Sequence, residues 1–304
     1  MKLFLTSQTV TSHFMRRVHF FLALLLMLIW GLQFPMIRIA TNELPPFLLC
    51  ALRFFFASIP FVFFVAKPKI SLKLLLLYAW LTFVIQYALL FSAIYIGMFS
   101  GLASLIYQFQ IFINIGLAYY FFKERINYSQ CIGILVGFAG ICVVGAHALK
   151  GNITLLGFFL AILAPTAWAF GNMALKKSEA TNPLSLVIWG NLISVPPMIL
   201  MGLFFEGPAK WFYSWHHLSW SAALATAYII YLSTLVAFSL WIWLITLYPI
   251  KTVVPFMMLV PPISMVAAFF ILGEPLYLWE FYATVLILCG LAINFFGEHL
   301  IKRL

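Results

Sequence analysis

One charged side chain, Arg53, lies deep inside an apolar stretch of this sequence, about eight residues from its nearer end. An ionisable residue within a membrane-spanning segment is expensive to bury and indicates a functional site by default. Its guanidinium presents a fork of donors that matches a carboxylate, so one interpretation is a partner for an acidic group on a substrate. The other is a structural arginine that caps carbonyls of a neighbouring helix or extends towards the membrane surface. The sequence leaves both open.

Neutral polar and aromatic side chains occur at similar depth in the other apolar stretches. Such groups hydrogen-bond and stack without charge, which suits a cavity for small neutral or zwitterionic molecules. Tryptophan usually lies at the membrane surface, so Trp30 and Trp168 near mid-depth favour a cavity wall, although the 18% aromatic content also permits simple packing. The candidate substrate-binding residues are Trp30, Gln33, Arg53, Gln86, Tyr107, Gln110, Asn114, Trp168, Asn172, Trp189, Asn191 and Tyr231.

Two glutamines, Gln108 and Gln110, stand close together in the stretch GLASLIYQFQIF. A helix turns about 100° per residue, so their side chains are expected about 200° apart and cannot share a face. Gln108 shares its face with small residues such as Gly101, which suit close helix packing. Gln110 shares its face with two hydrogen-bonding residues, Tyr107 and Asn114. We therefore predict that Gln110 faces the cavity and that Gln108 bonds to a neighbouring helix.

The sequence contains no obvious catalytic or metal-binding set. Every glutamate lies in a loop or at a helix end of the spans assigned below, and no histidine reaches mid-membrane depth. A membrane enzyme would need a nucleophile and base or a metal cluster at depth, so we expect no enzyme, no catalytic residue, no cofactor and no metal. A proton-coupled pump for cationic drugs would need a buried carboxylate, so neutral or zwitterionic cargo is favoured. The four cysteines are scattered and are expected to be small apolar packing residues.

The elements that must position these residues are membrane-spanning helices. Hydrophobic residues make up 65% of the 304 positions, charged residues 8%, and the mean hydropathy is +1.10. A soluble domain has about half its residues apolar and about a quarter charged, so we predict an all-α integral membrane protein. A bilayer core of about 30 Å needs about 20 apolar residues per helix. Ten such stretches are present, at 19–40, 45–66, 73–96, 100–122, 128–147, 154–175, 184–205, 220–247, 252–273 and 278–297.

Lysines and arginines divide unequally between the two sides of this ten-span topology. One side receives thirteen of them, and the other receives only Arg38, Lys150 and Lys210. By the positive-inside rule both termini are predicted to be cytoplasmic, and the net charge of +10 needs no nucleic-acid partner. Residues 1–14 lack the features of a secretory signal. We expect them to be dispensable, because Met15 would make an ordinary start.

The sequence contains a weak internal repeat. A shift of 150 residues aligns Glu124 with Glu274, and a shift of 138 residues aligns Trp30 with Trp168. Each unit would hold five spans, and because five is odd the second copy must cross the membrane in the opposite sense. Inverted repeats provide two nearly equivalent conformations that face opposite sides, which is the physical basis of alternating access. Some channels also contain inverted repeats, so a facilitator stays open as an alternative.

Short motifs spread over all ten spans resemble the EamA family of the drug/metabolite transporter superfamily. They are Trp30-Gly31-Leu32, Leu52-Arg53-Phe54, GLASLIYQFQ at 101–110, WAFGNMALKK at 168–177, SLVIW at 185–189, MLVP at 258–261 and GLAINFFG at 290–297. The likeness implies inverted five-helix repeats at 19–148 and 154–297, cytoplasmic tails at 1–18 and 298–304, and a central cavity. It also implies export of small metabolites across the bacterial inner membrane.

The function that follows is export of small neutral amino acids or their derivatives by alternating access. Within the family, the sequence is most similar to bacterial exporters of O-acetylserine and cysteine. Gln33 stands where the family pattern has asparagine, and Pro261-Pro262 is a doubled proline, so the exact substrate does not carry over. Alternatives are export of other metabolites or drugs, and an uncoupled uniporter or channel-like facilitator. The expected partners are an amino-acid-like small molecule and the lipid bilayer; monomer and homodimer both stay open.

Overall fold

The computed structural model of this chain describes residues 15–123, 126–150, 153–178, 183–248 and 253–301. These ranges are mainly helical, and no strand occurs within them. The predicted tail at 1–14, Glu124 of the repeat alignment and the last three residues lie outside the described residues. The prediction of an all-α, multi-pass membrane protein is confirmed.

Ten apolar helices cross the described bundle, and one short helix links its halves. The first half comprises α1 (Arg17–Thr41), α2 (Pro46–Val62), α3 (Leu72–Tyr95), α4 (Ser100–Phe121) and α5 (Tyr128–Leu149). The second half comprises α6 (Leu155–Ser178), α7 (Pro183–Phe205), the linker helix α8 (Pro208–His216), α9 (Trp220–Leu244), α10 (Pro255–Leu272) and α11 (Leu278–Ile301). Nine of these described helices are long and apolar enough to cross a membrane, and α2 is a shorter apolar helix that ends earlier than predicted, at Val62. The predicted all-helical fold of two repeats is confirmed.

Local capping signals mark several helix ends and keep the connections short. The Asn127 side chain accepts a hydrogen bond from the Gln130 amide, and the Gln130 side chain accepts one from the Asn127 amide, a capping box at the start of α5. Ser71 and Ser219 are the N-caps of α3 and α9. Each side-chain oxygen accepts a hydrogen bond from one backbone amide in the first turn of the helix. α10 ends at Gly273, whose φ of 65° lies in the left-handed region that favours glycine.

The helices contact one another in the pattern that an inverted repeat requires. α1 packs on α9 and α10, and its counterpart in the second half, α6, packs on α3 and α4. α5 packs on its own counterpart α11, and α2 packs on its counterpart α7. All these pairs join one half to the other, so the halves interlock and share a single interior. The predicted inverted five-helix repeat is confirmed.

Glycines allow α5 and α11 to approach closely. A Cβ atom added to Gly133 would lie 2.6 Å from the Gly290 carbonyl oxygen, and one added to Gly290 would lie 2.6 Å from the Gly133 carbonyl oxygen. Further along, a Cβ on Gly140 would lie 3.0 Å from the Ala283 carbonyl oxygen. These neighbours are backbone atoms, which cannot move aside as a flexible side chain could. Small residues therefore hold the two halves together at this contact.

Replacing Gly290 by leucine is expected to destabilise the protein by about 3 kcal/mol, lowering Tm by roughly 5–10 °C, because the new side chain overpacks α5. Thermal unfolding of the detergent-solubilised protein measures the change. The matched control is Gly116→Leu on α4, where no atom lies within 4 Å of an added Cβ and Tm should barely change. Equal Tm values for the two variants would contradict the close α5–α11 contact.

Four helices depart from regular α geometry at corresponding places in the two halves. α3 contains a π-helical segment at Trp80–Ile85, and its counterpart α9 contains one at Tyr228–Val236. α4 is interrupted by a turn at Gln108 and Phe109, and its counterpart α10 opens with the 3-10 segment Val254–Leu259. Interruptions at mid-depth commonly mark binding sites in transporters, because they free backbone groups inside the protein.

The bundle has two ends that differ in charge. The basic face is the end where α1 begins, and it carries Arg17, Lys67, Lys69 and Lys73. The distal face is the opposite end, where α2, α4 and α9 begin. Carboxylates at the distal face accept hydrogen bonds from residues at the starts of these three helices.

Glu206, which follows α7, joins the second half to α2. Its carboxylate accepts hydrogen bonds from the backbone amides of Phe47 at 2.7 Å and Leu48 at 3.2 Å, and from the Trp211 indole at 2.6 Å. Burial raises the pKa of the Glu206 carboxyl, while these hydrogen bonds and the nearby Lys210 act in the opposite direction. A carboxylate at a helix N-terminus is stabilising because it satisfies free amides and complements the helix dipole.

Two further carboxylates make equivalent bonds between the halves. Glu274, which follows α10, accepts from the Ser100 amide and hydroxyl, both at 2.9 Å, and from the Gly101 amide at 3.3 Å at the start of α4. Glu43, which follows α1, accepts from the amide and hydroxyl of Ser219, both at 2.6 Å, at the start of α9. We call Glu43, Glu206 and Glu274 the distal carboxylates. Together they hold the two halves against each other at the distal face.

Candidate functional site

A cavity lies between the two halves, where α1, α3, α4, α6, α9 and α10 meet. None of the described residues that line it is charged. Its aromatic lining consists of Trp30, Phe34, Phe83, Tyr87, Tyr107, Trp168, Phe238 and Trp241. Its polar lining consists of Gln33, Thr82, Gln86 and Gln108, and Leu90, Met257 and Val260 complete the wall. Aromatic walls with a few placed polar groups are typical of small-molecule sites.

The paired tryptophans of the repeat, Trp30 and Trp168, both line this cavity. The Trp30 indole donates a hydrogen bond to the Ser233 carbonyl at 3.3 Å and its ring centre lies 5.5 Å from that of Trp241. The Trp168 ring stacks on Tyr107, with centroids 5.7 Å apart and planes at 20°. These rings are held by their neighbours and present flat π surfaces, which attract apolar groups and cations.

Arg53 lies behind the cavity wall and not in its lining. The side chain is 1% exposed, and its Nη2 donates to the Tyr87 hydroxyl at 3.1 Å and to the Gln33 side-chain oxygen at 3.4 Å. The guanidinium carbon lies 4.2 Å from the centre of the Tyr87 ring. The Ser233 hydroxyl donates to the same Gln33 oxygen. Because that oxygen already accepts two hydrogen bonds, the NH₂ group is the part of Gln33 that remains for a ligand in the cavity.

The Arg53 charge is not neutralised within the described part of the chain. Its only hydrogen bonds go to two neutral oxygens, and its Nε and Nη1 atoms have no partner among the described residues. A buried charge without a counter-ion destabilises a protein by several kcal/mol. The wall formed by Gln33 and Tyr87 therefore carries a positive potential from Arg53 and favours an anionic group in front of it.

Two glutamine side chains that line the cavity have a hydrogen-bond partner for the nitrogen of the amide but not for its oxygen, among the described residues. Gln86 donates from Nε2 to the Tyr107 hydroxyl, and Gln108 donates from Nε2 to the Met257 carbonyl at 3.0 Å. The side-chain oxygens of both glutamines have no donor among the described residues. The Thr82 hydroxyl is also without a partner there, but it packs directly against Gly171 of α6.

Three predicted residues, Gln110 and Asn114 on α4 and Asn172 on α6, lie outside the lining. Gln110 is 1% exposed, and neither end of its amide has a partner among the described residues. Asn114 donates to the Gln110 carbonyl at 2.8 Å, and Asn172 of α6 donates to the Asn114 side-chain oxygen at 3.3 Å. The cavity is lined by Gln108 and not by Gln110, so the predicted cavity residue is wrong. The reason is the turn at Gln108, which ends the regular rotation that the prediction assumed. The predicted bond from Gln108 to a neighbouring helix is present, to the Met257 carbonyl of α10.

The other predicted residues outside the lining lie on α7 and α9. Trp189 donates to the Val65 carbonyl at 3.0 Å and so ties α7 to the end of α2. Asn191 is 1% exposed, and its amide has no partner within the described ranges. Tyr231 is 48% exposed, so it lies on the outer surface of the bundle. Of the predicted set, the cavity brings together Trp30, Gln33, Gln86, Tyr107 and Trp168, with Arg53 behind them.

Sequence reasoning missed several lining residues. Trp241 lines the cavity, whereas Trp243 packs on His19 with ring centres 4.8 Å apart. Both tryptophans stand in one apolar run, SLWIW, which carries no signal that separates them. Tyr87 follows the predicted Gln86 directly, and its position in front of Arg53 depends on how α2 packs on α3.

Comparison with known proteins agrees with this architecture. Residues 18–146 and 155–296 match the EamA-like transporter family. A probable amino-acid metabolite efflux pump of Escherichia coli K12 is 38% identical over 281 residues, covering 91% of this chain and 94% of that protein. A Salmonella typhimurium protein of the same description is 37% identical over 288 residues, covering 93% and 96%. A crystal structure with 18% identity has a TM-score of 0.61 and covers 95% of this chain and 99% of that one, which shows a shared fold.

The two matched segments account for nearly the whole chain. The first runs from α1 to α5, and the second runs from α6 to α11. The relatives match over almost their full length, so the likeness concerns whole proteins and not a shared fragment. The chain is thus a membrane transporter and not an enzyme, and it belongs to the EamA-like transporter family.

Proposed function

We propose that this protein exports small neutral amino acids or amino-acid-derived metabolites, of the O-acetylserine and cysteine type, by alternating access. One observation carries the proposal: an aromatic cavity with neutral polar groups has the buried Arg53 charge directly behind its Gln33–Tyr87 wall. The aromatic surface suits a short side chain, and the positive wall suits a carboxylate. The two bacterial relatives described as amino-acid metabolite efflux pumps support the same substrate class.

The orientation of the protein in the membrane is inferred from the charge of the two faces. We propose that the basic face and both termini are cytoplasmic, because short loops rich in lysine and arginine stay on that side. The distal face, with its three carboxylates, is then the periplasmic side of a bacterial inner membrane. The distal carboxylates hold that side closed, which leaves the cavity to be loaded from the cytoplasm.

Counterflow in proteoliposomes tests the proposal. Purified protein is reconstituted with unlabelled substrate inside, and uptake of labelled serine, cysteine, O-acetylserine, a sugar and a nucleobase is followed with and without a pH gradient. We expect exchange of the amino acids and none of the sugar or nucleobase, because only the amino acids place a carboxylate at the Arg53 wall. Exchange of the sugar or nucleobase alone would contradict the substrate class. Label that equilibrates without transient accumulation would favour the channel-like facilitator, because accumulation by counterflow requires a carrier that alternates between the two sides.

A further inference from the structure

Two buried amide oxygens border the cavity without a hydrogen-bond donor from the described residues. They are the Oε1 atoms of Gln108 on α4 and Gln86 on α3, and these side chains are 1% and 2% exposed. A buried amide oxygen that makes no hydrogen bond destabilises a protein by about 1–3 kcal/mol. Both oxygens are therefore suited to a ligand that brings donors into the cavity.

The orientation of the Gln108 amide is determined by its partner. Its Nε2 donates to the Met257 backbone carbonyl at 3.0 Å, and a carbonyl oxygen can only accept. The nitrogen end is thus directed to α10, and the oxygen end is the free one. Gln86 is held in turn by its bond to the Tyr107 hydroxyl. The bond to Met257 also joins α4 to α10 at their corresponding interruptions.

The backbone is interrupted at the same place. The first part of α4, Ser100–Tyr107, has Gln108 as its C-cap, and the second part begins at Gln110. In transporters, interrupted helices commonly lie at the substrate site. The side-chain oxygens of Gln108 and Gln86 favour a cationic donor, whereas the Arg53 wall favours an anion.

We propose that the cavity binds the two poles of a zwitterion at two different walls, an inference that rests on the proposed function. The substrate ammonium group donates to the side-chain oxygens of Gln108 and Gln86 at the α4 interruption. The carboxylate accepts from Gln33 and Tyr87 in front of Arg53. Gln108 is thus the residue that selects substrates with a free amino group. The ammonium group is bound by neutral oxygens and aromatic faces, without a carboxylate partner from the described residues.

Competition with three related thiols tests this assignment. Cysteine carries both poles, 3-mercaptopropionate lacks the ammonium group, and cysteamine lacks the carboxylate. Each is titrated against labelled cysteine in the counterflow assay. In the Gln108→Leu variant, the preference for cysteine over 3-mercaptopropionate should fall about tenfold, because one hydrogen bond to a charged group is lost. The preference for cysteine over cysteamine should stay as in the parent protein.

Two further variants make the result specific. Gln110→Leu is the matched control, because it makes the same change on the same helix at another buried glutamine outside the lining. It should leave both preferences unchanged. Gln108→Glu keeps the acceptor oxygen and adds charge, so it should strengthen competition by cysteamine. If Gln108→Leu fails to fold, the Gln108→Glu variant tests by itself whether Gln108 binds the ammonium group.

The outcomes separate this inference from the proposed function. If the parent protein exchanges cysteine and neither Gln108 variant changes the preference over 3-mercaptopropionate, the ammonium site is wrong and the proposed function stands. If the parent protein binds none of the three thiols and no other amino acid, the proposed function is wrong and the zwitterion site falls with it. An equal change in Gln108→Leu and Gln110→Leu would also overturn the assignment, since it would reflect general loosening of α4.

Discussion

Replacing Arg53 by methionine is expected to reduce the affinity for carboxylate-bearing substrates about 100-fold while Tm stays the same or rises. The affinity falls because charge-assisted hydrogen bonding at the Gln33–Tyr87 wall is worth about 1.5–3 kcal/mol. Tm is maintained because methionine removes a buried cation that has no carboxylate partner among the described residues, and fills most of its space. Counterflow and thermal unfolding on the same preparation measure both quantities.

The matched control is Arg38→Met. Arg38 is half-buried near the distal end of α1 and donates to the Ile94 carbonyl of α3 at 2.6 Å. Its loss should lower Tm and leave the substrate affinity close to that of the parent protein. A fall in Tm for Arg53→Met with unchanged affinity in the folded fraction would instead make Arg53 a structural arginine, the interpretation that the sequence left open.

The double replacement Glu206→Ala and Glu274→Ala is expected to speed labelling of a cavity thiol from the distal face at least tenfold. These two carboxylates tie the first turns of α2 and α4 to the other half, and a distal opening must break those bonds. Each hydrogen bond to a charged acceptor is worth about 1.5–3 kcal/mol, so their loss shifts the balance towards an open distal face.

The thiol for this experiment is Leu90→Cys, which lines the cavity on the distal half of α3. It is introduced after replacing the native cysteines Cys50, Cys131, Cys142 and Cys289. The labelling rate with a membrane-impermeant maleimide is measured from each side of the membrane. The control is Glu280→Gln, because Glu280 accepts a hydrogen bond from the Tyr277 amide at the start of its own helix and makes none to the first half among the described residues. Equal labelling of parent and double variant would show that the distal carboxylates do not hold this face closed.

The architecture could be predicted because the bilayer restricts which secondary structures a chain can form within it. A bilayer demands long apolar helices, so hydropathy alone located all ten apolar helices of the described bundle. The inverted repeat left anchors at matching places, such as Trp30 and Trp168. Which helices interlock could not be read from the same pattern. The contact between Gly133 and Gly290 depends on two backbones meeting in space, and neither local sequence names its partner.

The site was harder to predict because it depends on departures from regular helices. A constant rotation of about 100° per residue assigned Gln110 to the cavity, and the turn at Gln108 invalidated that assumption. The stretch YQFQ contains neither glycine nor proline, so no local sequence signal indicates that the helix is interrupted there. The Arg53 environment was likewise out of reach, because its bonds to Gln33 and Tyr87 join three helices that only tertiary packing brings together.

Glu206 accepts its bonds to α2 from backbone amides, so mutation affects the two partners of this contact differently. An amide donor exists whatever side chain its residue carries, and only proline lacks it. Phe47 and Leu48 in the first turn of α2 can therefore change over evolutionary time without losing their bonds to Glu206. Glu206 has no such freedom, because no other described residue supplies an acceptor oxygen to these two amides. A saturation library over this contact should find the least tolerance at Glu206 and more tolerance at positions 47 and 48, except for proline.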